Sequence, residues 1–207
     1  PRGVGGDMAR IELAFDLRDI TGDTFPARRL LGNPTVLVLL RHLGCLFCQD
    51  HLAQLRMHAE EVEAAGGQIA VISFAAPQHG ERFARALGHP YLWLSDPARV
   101  SYRAFRVGRG GPFNPFSRTD LWHNFVATLG GRPWLPQQSD IWQLGADFVF
   151  DTDGNLTMAY RCRSGHDRPT ASAVHGPVRR ARPGPGPRRA RPPGPGCRPP
   201  PARRGAC

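Results

Sequence analysis

The apolar pattern of the chain changes its period at residues 40–46, and this change restricts the possible folds more than any other feature. Residues 35–40 form an uninterrupted apolar run rich in branched side chains, which is typical of a strand buried on both faces. Beyond this run, apolar residues recur at helical spacing, at Cys48, Leu52, Leu55, Ala59 and Val62. The sequence therefore predicts a central strand leading into an amphipathic helix over residues 46–65, which Gly66-Gly67 ends.

Cys45 and Cys48 form a C-x-x-C motif at this junction. The N-terminus of a helix carries unpaired N–H groups and the positive end of the helix dipole, which favour a thiolate. Thiol pKa values in such motifs fall from about 8.5 to roughly 3.5–7.5. Arg41 and His42 precede the pair and are expected to add positive potential. The motif predicts a redox site in which one sulfur attacks a peroxide or a disulfide and the other resolves the product.

The cysteines have two alternative uses. A structural zinc site normally needs four ligands, yet the sequence has no second C-x-x-C, Cys162 is isolated, and Cys197 and Cys207 lie near the end of the chain. We therefore expect no metal, no iron–sulfur cluster and no other cofactor. Two inert core cysteines remain an alternative, because free cysteine is often buried. Cys48 lies on the apolar helix face, whereas Cys45 lies off it and is expected to be exposed.

The remaining elements alternate between strand and helix. The patterns predict strands over residues 11–15, 69–75 and 91–94, a turn over 19–23, helices over 78–87 and 96–105, a hairpin over 147–161 and a last helix from Thr170. Such alternation indicates a layered α/β fold. With a terminal antiparallel hairpin on a parallel core, it predicts a thioredoxin-like fold, in which helices flank a mixed central sheet.

The predicted domain covers residues 10–174, after a flexible N-terminus of residues 1–9. Residues 108–144 interrupt it with Gly-rich turns, three tryptophans and a predicted helix over 118–129. This aromatic-rich insertion is expected either to cap the C-x-x-C edge and shape a pocket for an apolar substrate or to form a small aromatic core.

Residues 175–207 are mainly Gly, Pro, Arg and Ala and are predicted to be a disordered tail. This tail holds nine of the 27 arginines, whereas 18 arginines face 17 acidic residues in the rest of the chain. The body is thus nearly neutral, and nucleic acid is an expected partner of the tail alone. Out-of-frame translation of GC-rich DNA gives the same composition, and we favour this frameshift interpretation.

The localisation prediction comes from segments that the sequence lacks. Residues 1–10 contain no apolar signal region, and the longest aliphatic run, residues 36–40, is too short to span a bilayer. The sequence therefore predicts a cytoplasmic protein with no membrane partner. In that compartment a C-x-x-C pair is more often catalytic or metal-binding than structural.

The run from Val38 to Gln49, which contains R-H-x-G-C-x-x-C, resembles the peroxiredoxin-like branch of the AhpC/TSA antioxidant enzymes. The similarity continues through residues 142–151 and 160–166 and covers about residues 10–174. It implies a thioredoxin fold and thiol-dependent reduction of peroxides or related endoperoxide bonds. The implied partners are a small peroxide or disulfide substrate and a thioredoxin- or glutathione-like thiol as electron donor.

The resemblance leaves the attacking cysteine open. Typical peroxiredoxins carry P-x-x-x-T-x-x-C, and if Cys48 takes the place of that cysteine, Cys45 replaces the Thr and Arg41 the Pro. Alignment to thioredoxins makes Cys45 the nucleophile instead and places Gly145-Ala146 near their cis-proline. The expected exposure favours Cys45. The alternative functions are dithiol–disulfide exchange without peroxidase activity and a non-catalytic redox sensor or binding module.

Five polar residues are secondary candidates. Arg163 and His166 follow the last predicted strand and are expected in a solvated loop, although they stand where they could approach the sulfur pair. Asp50 and His51 are expected only to serve the helix. Asp147 is either a buried acid that moves protons or, as is commoner, solvated at a strand edge.

Overall fold

The computed structural model describes residues 13–88, 91–110, 140 and 142–180. Its strands are β1 (Asp16–Asp19), β2 (Thr24–Pro26), β3 (Thr35–Leu39), β4 (Gln68–Ser73), β5 (Leu92–Ser95), β6 (Ala146–Phe150) and β7 (Leu156–Arg161). Its α-helices are α1 (Leu46–Arg56), α2 (Ala59–Ala64), α3 (Pro77–Leu87), α4 (Val100–Ala104) and α5 (Ala171–Arg180), and a 3-10 helix covers Ala27–Leu30. Among these helices, none has the length and apolar content that a bilayer span requires.

The strands form one mixed sheet in the order β2-β1-β5-β4-β3-β6-β7. Strand β3 pairs in parallel with β4 and antiparallel with β6, and all five of its residues are buried. Strands β6 and β7 form the predicted terminal hairpin. The predicted central strand and mixed α/β architecture are confirmed.

Alternate residues of β3 face two separate apolar layers. Val36 and Val38 point towards the layer that contains both cysteines and the apolar faces of α1, α2 and α5. Leu37 and Leu39 point to the opposite layer, which holds Tyr102 and the 3-10 helix. Burial on both faces explains why the run lacks polar alternation. Packing on both sides also holds the end of β3 in place, and the C-x-x-C motif follows directly after it.

The first strand lies later in the chain than predicted. Residues 13–15 are not in a strand, residues 11 and 12 lie outside the described residues, and β1 begins at Asp16. Only Leu17 of β1 is buried. The other three residues of the strand are polar, so the sequence shows no alternating apolar pattern there. The predicted turn over residues 19–23 is confirmed, because the Asp19 carboxylate accepts hydrogen bonds from the N–H groups of Thr21 and Asp23.

The predicted helix over residues 46–65 is two helices. Helix α1 ends at Arg56, and α2 starts at Ala59. Hydrogen bonds of the i to i−3 type at Met57 and His58 tighten the backbone between them. The apolar face survives the break, because Cys48, Leu52, Leu55 and Val62 are all buried.

The last helix continues to Arg180, beyond residue 174, where the sequence predicts the tail. Ala171, Val174 and Val178 are buried at helical spacing and pack in the layer that contains the cysteines. This short apolar stripe stabilises the helix by packing. The Arg, Pro and Gly content of the segment makes its helical pattern hard to recognise in the sequence. Three long parts of the chain lie outside the described residues. They are residues 1–12, the rest of the tail from residue 181, and the centre of the insertion over 111–139, which includes its predicted helix over 118–129.

Candidate active site

Both cysteines lie at the first turn of α1, directly after β3. Cys45 is the N-cap residue of α1, and its carbonyl accepts a hydrogen bond from the N–H of Gln49 at 3.0 Å. Its own N–H donates to the carbonyl of His42 at 3.1 Å. This turn folds Cys45 inward, and it is 4% exposed, while Cys48 is fully buried. The expectation that Cys45 is exposed is therefore wrong.

The sulfur of Cys48 accepts hydrogen bonds from three directions. The Nη2 of Arg168 lies 3.3 Å from it, and the backbone N–H of Arg41 and the thiol of Cys45 also donate to it. Burial alone would raise the pKa of Cys48, but these donors and the positive charge of Arg168 hold that pKa well below the usual thiol range. Of the two sulfurs, Cys48 is therefore the one whose surroundings favour the thiolate.

Cys45 has the opposite environment. The pKa of Cys45 is raised well above the usual thiol value by three causes. They are the hydrogen bond that its thiol donates to Cys48, burial, and the negative charge on Cys48. The charges of Arg41 and Arg168 oppose this shift and do not reverse it. The pair therefore favours the negative charge on Cys48 and the proton on Cys45, whose thiol hydrogen bond stabilises the Cys48 thiolate.

Arg168 belongs to a buried chain of charged groups. Its Nη1 donates to the Asp147 carboxylate at 2.9 Å, and its Nη2 also lies 3.2 Å from the carbonyl of Leu39. The other carboxylate oxygen of Asp147 lies 2.8 Å from Nε2 of His51. Burial would raise the pKa of Asp147, but Arg168 and His51 lower it overall, so the acid is ionised. Asp147 thus fixes Arg168 against Cys48 from the far side.

Gly145 provides the space through which Arg168 reaches the sulfur. A Cβ on Gly145 would lie 2.3 Å from Nη2 of Arg168 and 2.8 Å from the carbonyl oxygen of Leu39. Both distances are far shorter than van der Waals contact. Gly145 stands close to the position where alignment to thioredoxins places their cis-proline. Here that position carries no side chain, and the guanidinium of Arg168 lies beside it.

Arg41 and His42 are both buried beside the pair. The Nε of Arg41 donates to the carbonyl of Gln143 at 3.3 Å, so its side chain is held at the end of the 108–144 insertion. Burial lowers the pKa of His42. The negative charge of Cys48 opposes this shift, and the positive charge of Arg41 adds to it. A neutral His42 adds little positive potential near pH 7, and Arg168 is the charged side chain that contacts the Cys48 sulfur.

The residues after β7 differ in burial. Arg163 and His166 are exposed, although the ring of His166 lies 6.1 Å from that of Phe47 between the two cysteines. Cys162 is buried, and burial is the main cause that raises its pKa to about 12. It is therefore a protonated thiol at neutral pH.

The role of Arg168 was not predicted from the sequence, and the expectation that His51 only serves the helix is wrong, because His51 contacts Asp147. Nothing local distinguishes Arg168 from the other 26 arginines, because it precedes Pro169 at the start of a helix whose pattern is weak. Asp147 offered a better signal: it is an acid inside a strand of apolar residues, and such an acid needs a buried partner.

Comparison with known proteins agrees with the fold. The model of the AhpC/TSA family matches residues 6–159, which include both cysteines and Asp147 and end before Arg168. The similar solved structures include three that each have a low identity to this chain. They are the bacterioferritin comigratory protein of Xanthomonas campestris (13% identity, 82% of this chain and 90% of that one, TM-score 0.58), the peroxidoxin BcpB of Mycobacterium tuberculosis (20%, 80% and 92%, 0.58) and dsbF of MTB (16%, 83% and 97%, 0.52). No curated protein sequence gives a significant match. The predicted thioredoxin-like fold is thereby confirmed.

Proposed function

Because the chain belongs to the AhpC/TSA family and is a thiol oxidoreductase, we propose that it reduces peroxides with Cys48 as the attacking thiolate and Cys45 as the resolving thiol. The observation that carries this proposal is the set of three donors that converge on the Cys48 sulfur. A thiolate is the reactive form of cysteine. The similar Xanthomonas campestris protein is described as having alkyl peroxide reduction activity, which favours a hydroperoxide as substrate.

The first step transfers one oxygen atom. The Cys48 thiolate attacks the terminal oxygen of ROOH, an S–O bond forms and the O–O bond breaks. The departing alkoxide leaves as ROH when it takes one proton, which the Cys45 thiol can supply because it is protonated and hydrogen-bonded to Cys48. The sulfur is oxidised to a sulfenic acid and the peroxide is reduced to an alcohol.

The second step closes the pair. The Cys45 sulfur, now a thiolate, attacks the sulfenic acid, an S–S bond forms and hydroxide leaves. A thiol donor then returns two electrons and restores both cysteines. We infer a thioredoxin- or glutathione-like donor, of the kind that the cytoplasm contains, which fits the predicted location.

The surrounding residues have separate roles in this proposal. Arg168 stabilises the thiolate before attack, and Asp147 positions Arg168. Arg41 contributes its backbone N–H to the sulfur, while its side chain links the site to the end of the insertion. His42 is a neutral neighbour that can accept or release a proton as the charge on Cys48 changes.

Peroxide consumption with a dithiol donor tests the proposal in wild type, Cys45→Ser and Cys48→Ser. Cys48→Ser should lose turnover and form no sulfenic acid. Cys45→Ser should consume one equivalent of peroxide in a burst and accumulate a sulfenic acid on Cys48, which dimedone labelling and peptide mass spectrometry detect. The reverse pattern, with the sulfenic acid on Cys45, would contradict the assignment of the two sulfurs.

Dithiol–disulfide exchange is the second candidate function. Stabilising the Cys48 thiolate stabilises the reduced pair, and this makes the disulfide a stronger oxidant. The likeness to dsbF, whose structure contains mixed oxidized and reduced forms, is compatible with such a use. Equilibration with glutathione redox buffers would give the potential of the pair. Reversible disulfide formation without peroxide consumption would favour this function over peroxidase activity.

A further inference from the structure

His58, Glu61 and His175 form a polar cluster where α5 packs on α2. His58 precedes α2, Glu61 lies one turn later, and His175 projects from α5. One nitrogen from each imidazole and one carboxylate oxygen all lie within 4.8 Å of one another. The proposed redox chemistry uses none of these residues, so the cluster needs its own explanation.

The spacing of these atoms fits a tetrahedral ion. Zn²⁺ binds imidazole nitrogen at about 2.0–2.1 Å and carboxylate oxygen at about 2.0–2.2 Å, so neighbouring ligand atoms stand roughly 3.3–3.5 Å apart. Here Nε2 of His175 lies 3.0 Å from Glu61 Oε2, and Nδ1 of His58 lies 3.9 Å from Glu61 Oε1. These two separations run to different oxygens of the carboxylate, while one nitrogen from each ring and one oxygen all lie within 4.8 Å of one another. Shifts of up to about 1.4 Å would therefore bring the three ligand atoms to the spacing of a zinc site.

The two imidazoles are arranged in an unusual way for an ordinary ion pair. Their rings lie nearly parallel, with centroids 4.9 Å apart and an interplanar angle of 13°, and one nitrogen of each ring faces the Glu61 carboxylate. Because the lone pair of an imidazole nitrogen lies in the ring plane, one ring would turn to direct both nitrogens at the same ion. The pair of His175 and Glu61 accounts for one ring. Within the described part of the chain, no hydrogen-bond partner reaches the buried Nδ1 of His58. A buried polar atom in that state costs free energy, which a bound cation would remove.

Burial around the cluster also suits an exchangeable ion. The side chain of His175 is 8% exposed, whereas that of Glu61 is 55% exposed. The imidazole of His175 is thus shielded, that of His58 is 29% exposed, and the carboxylate faces water, which leaves an entry path and a place for a water ligand. A site with two nitrogens, one carboxylate oxygen and an open position suits Zn²⁺ among the common divalent ions.

We propose that His58, Glu61 and His175 bind one Zn²⁺ ion, with water in the fourth position. The ion would join α2 to α5 and stabilise the C-terminal helix on the domain. Since Arg168 lies three residues before α5, the same ion would also help to hold the segment that carries Arg168. The binding site itself does not depend on the proposed peroxidase activity.

Calorimetric titration of the full reduced chain with Zn²⁺ tests this inference. Wild type should show a one-to-one site that Glu61→Gln, His58→Ala and His175→Ala each weaken by about 10-fold or more, since even removing an outer partner of a metal ligand costs about 10–100-fold. His79→Ala, a half-buried histidine on α3, is the matched control and should bind as wild type does. All variants keep the five cysteines, so zinc bound by thiols contributes equally to each titration.

A spectroscopic readout separates the cluster from the cysteine pair. Co²⁺ bound at the cluster should show d–d absorption without a thiolate-to-cobalt charge-transfer band, and the absorption should disappear in Glu61→Gln. Glu61→Gln removes one exposed charge and preserves side-chain shape, so its circular dichroism should match wild type even if His175→Ala unfolds. No zinc binding, titrations of Glu61→Gln that superimpose on wild type, or a Co²⁺ spectrum of thiolate type alone would each overturn the proposal.

Discussion

The charge of Arg168 is expected to set the pKa of Cys48, and Arg168→Gln tests this directly. The Nη2 of Arg168 lies 3.3 Å from the Cys48 sulfur. Two unit charges 4 Å apart interact by about 4 kcal/mol at an effective dielectric constant of about 20, which corresponds to about 3 pKa units. The guanidinium charge is spread over three nitrogens, so we expect the substitution to raise the pKa of Cys48 by about 2 units.

The rate of attack on a small aromatic disulfide, followed by stopped-flow absorbance against pH, measures this shift. Below both pKa values, a rise of about 2 units lowers the thiolate fraction, and hence the rate, about 100-fold. Above both values the variant thiolate is more basic. With a Brønsted coefficient of about 0.4–0.5, it should then attack roughly 6- to 10-fold faster than wild type. The two pH–rate curves should therefore cross, which general damage to the structure would not produce.

Two controls make the result decisive. Subtracting the rate of the matching Cys48→Ser protein removes the contribution of the other thiols. Arg168→Gln also leaves the Asp147 carboxylate buried without its cation, so the double variant with Asp147→Asn removes both charges and should still show a pKa above wild type. A folded variant whose pKa moves by less than about half a unit, or whose curve lies below wild type at every pH, would refute the electrostatic role of Arg168.

Three further changes probe the same arrangement. Gly145→Ala should raise the pKa of Cys48 in the same assay, because the new Cβ would lie 2.3 Å from Nη2 of Arg168; an unchanged profile would show that the guanidinium accommodates it without moving. Asp147→Asn should lower the free energy of unfolding in urea by about 1.5–3 kcal/mol, because Arg168 loses its buried carboxylate partner and keeps only the Cys48 sulfur and the Leu39 carbonyl. Asp153→Asn at an exposed turn should change it by less than about 0.5 kcal/mol. The lowered pKa of Cys48 in the folded state means that its contribution to stability is present above the unfolded thiol pKa of about 8.5 and is lost as pH falls through the folded pKa. The unfolding free energy of the reduced protein should therefore rise with pH across that interval, and the part of the slope missing from Cys48→Ser measures this contribution.

The fold could be predicted where one element carries its own pattern. Strand β3 has apolar residues on both faces, and α3 has a continuous helical stripe, so each was placed within a residue of its observed bounds. The bounds of β1 and the end of α5 could not be predicted in this way. A strand with one buried residue and a helix with a stripe of three apolar residues give little signal in the sequence. Both are stabilised by the surface on which they pack, which is tertiary information.

The site was predictable only as far as the sulfur pair and its junction. Periodicity assigns residues to a face within a regular helix, but Cys45 is the N-cap, where the backbone is extended and the turn from His42 decides the side-chain direction. Arg168 is 120 residues from Cys48 along the chain, so no spacing rule connects them. What connects them is Asp147: an acid buried in β6 requires a cation, and the cation that satisfies it also contacts the sulfur. Because the acid holds the guanidinium in place and the guanidinium lowers the pKa of the thiol, the reactive sulfur is determined by a chain of charged groups from β6, α1 and the segment before α5. The C-x-x-C spacing alone could not have distinguished Cys48 from Cys45.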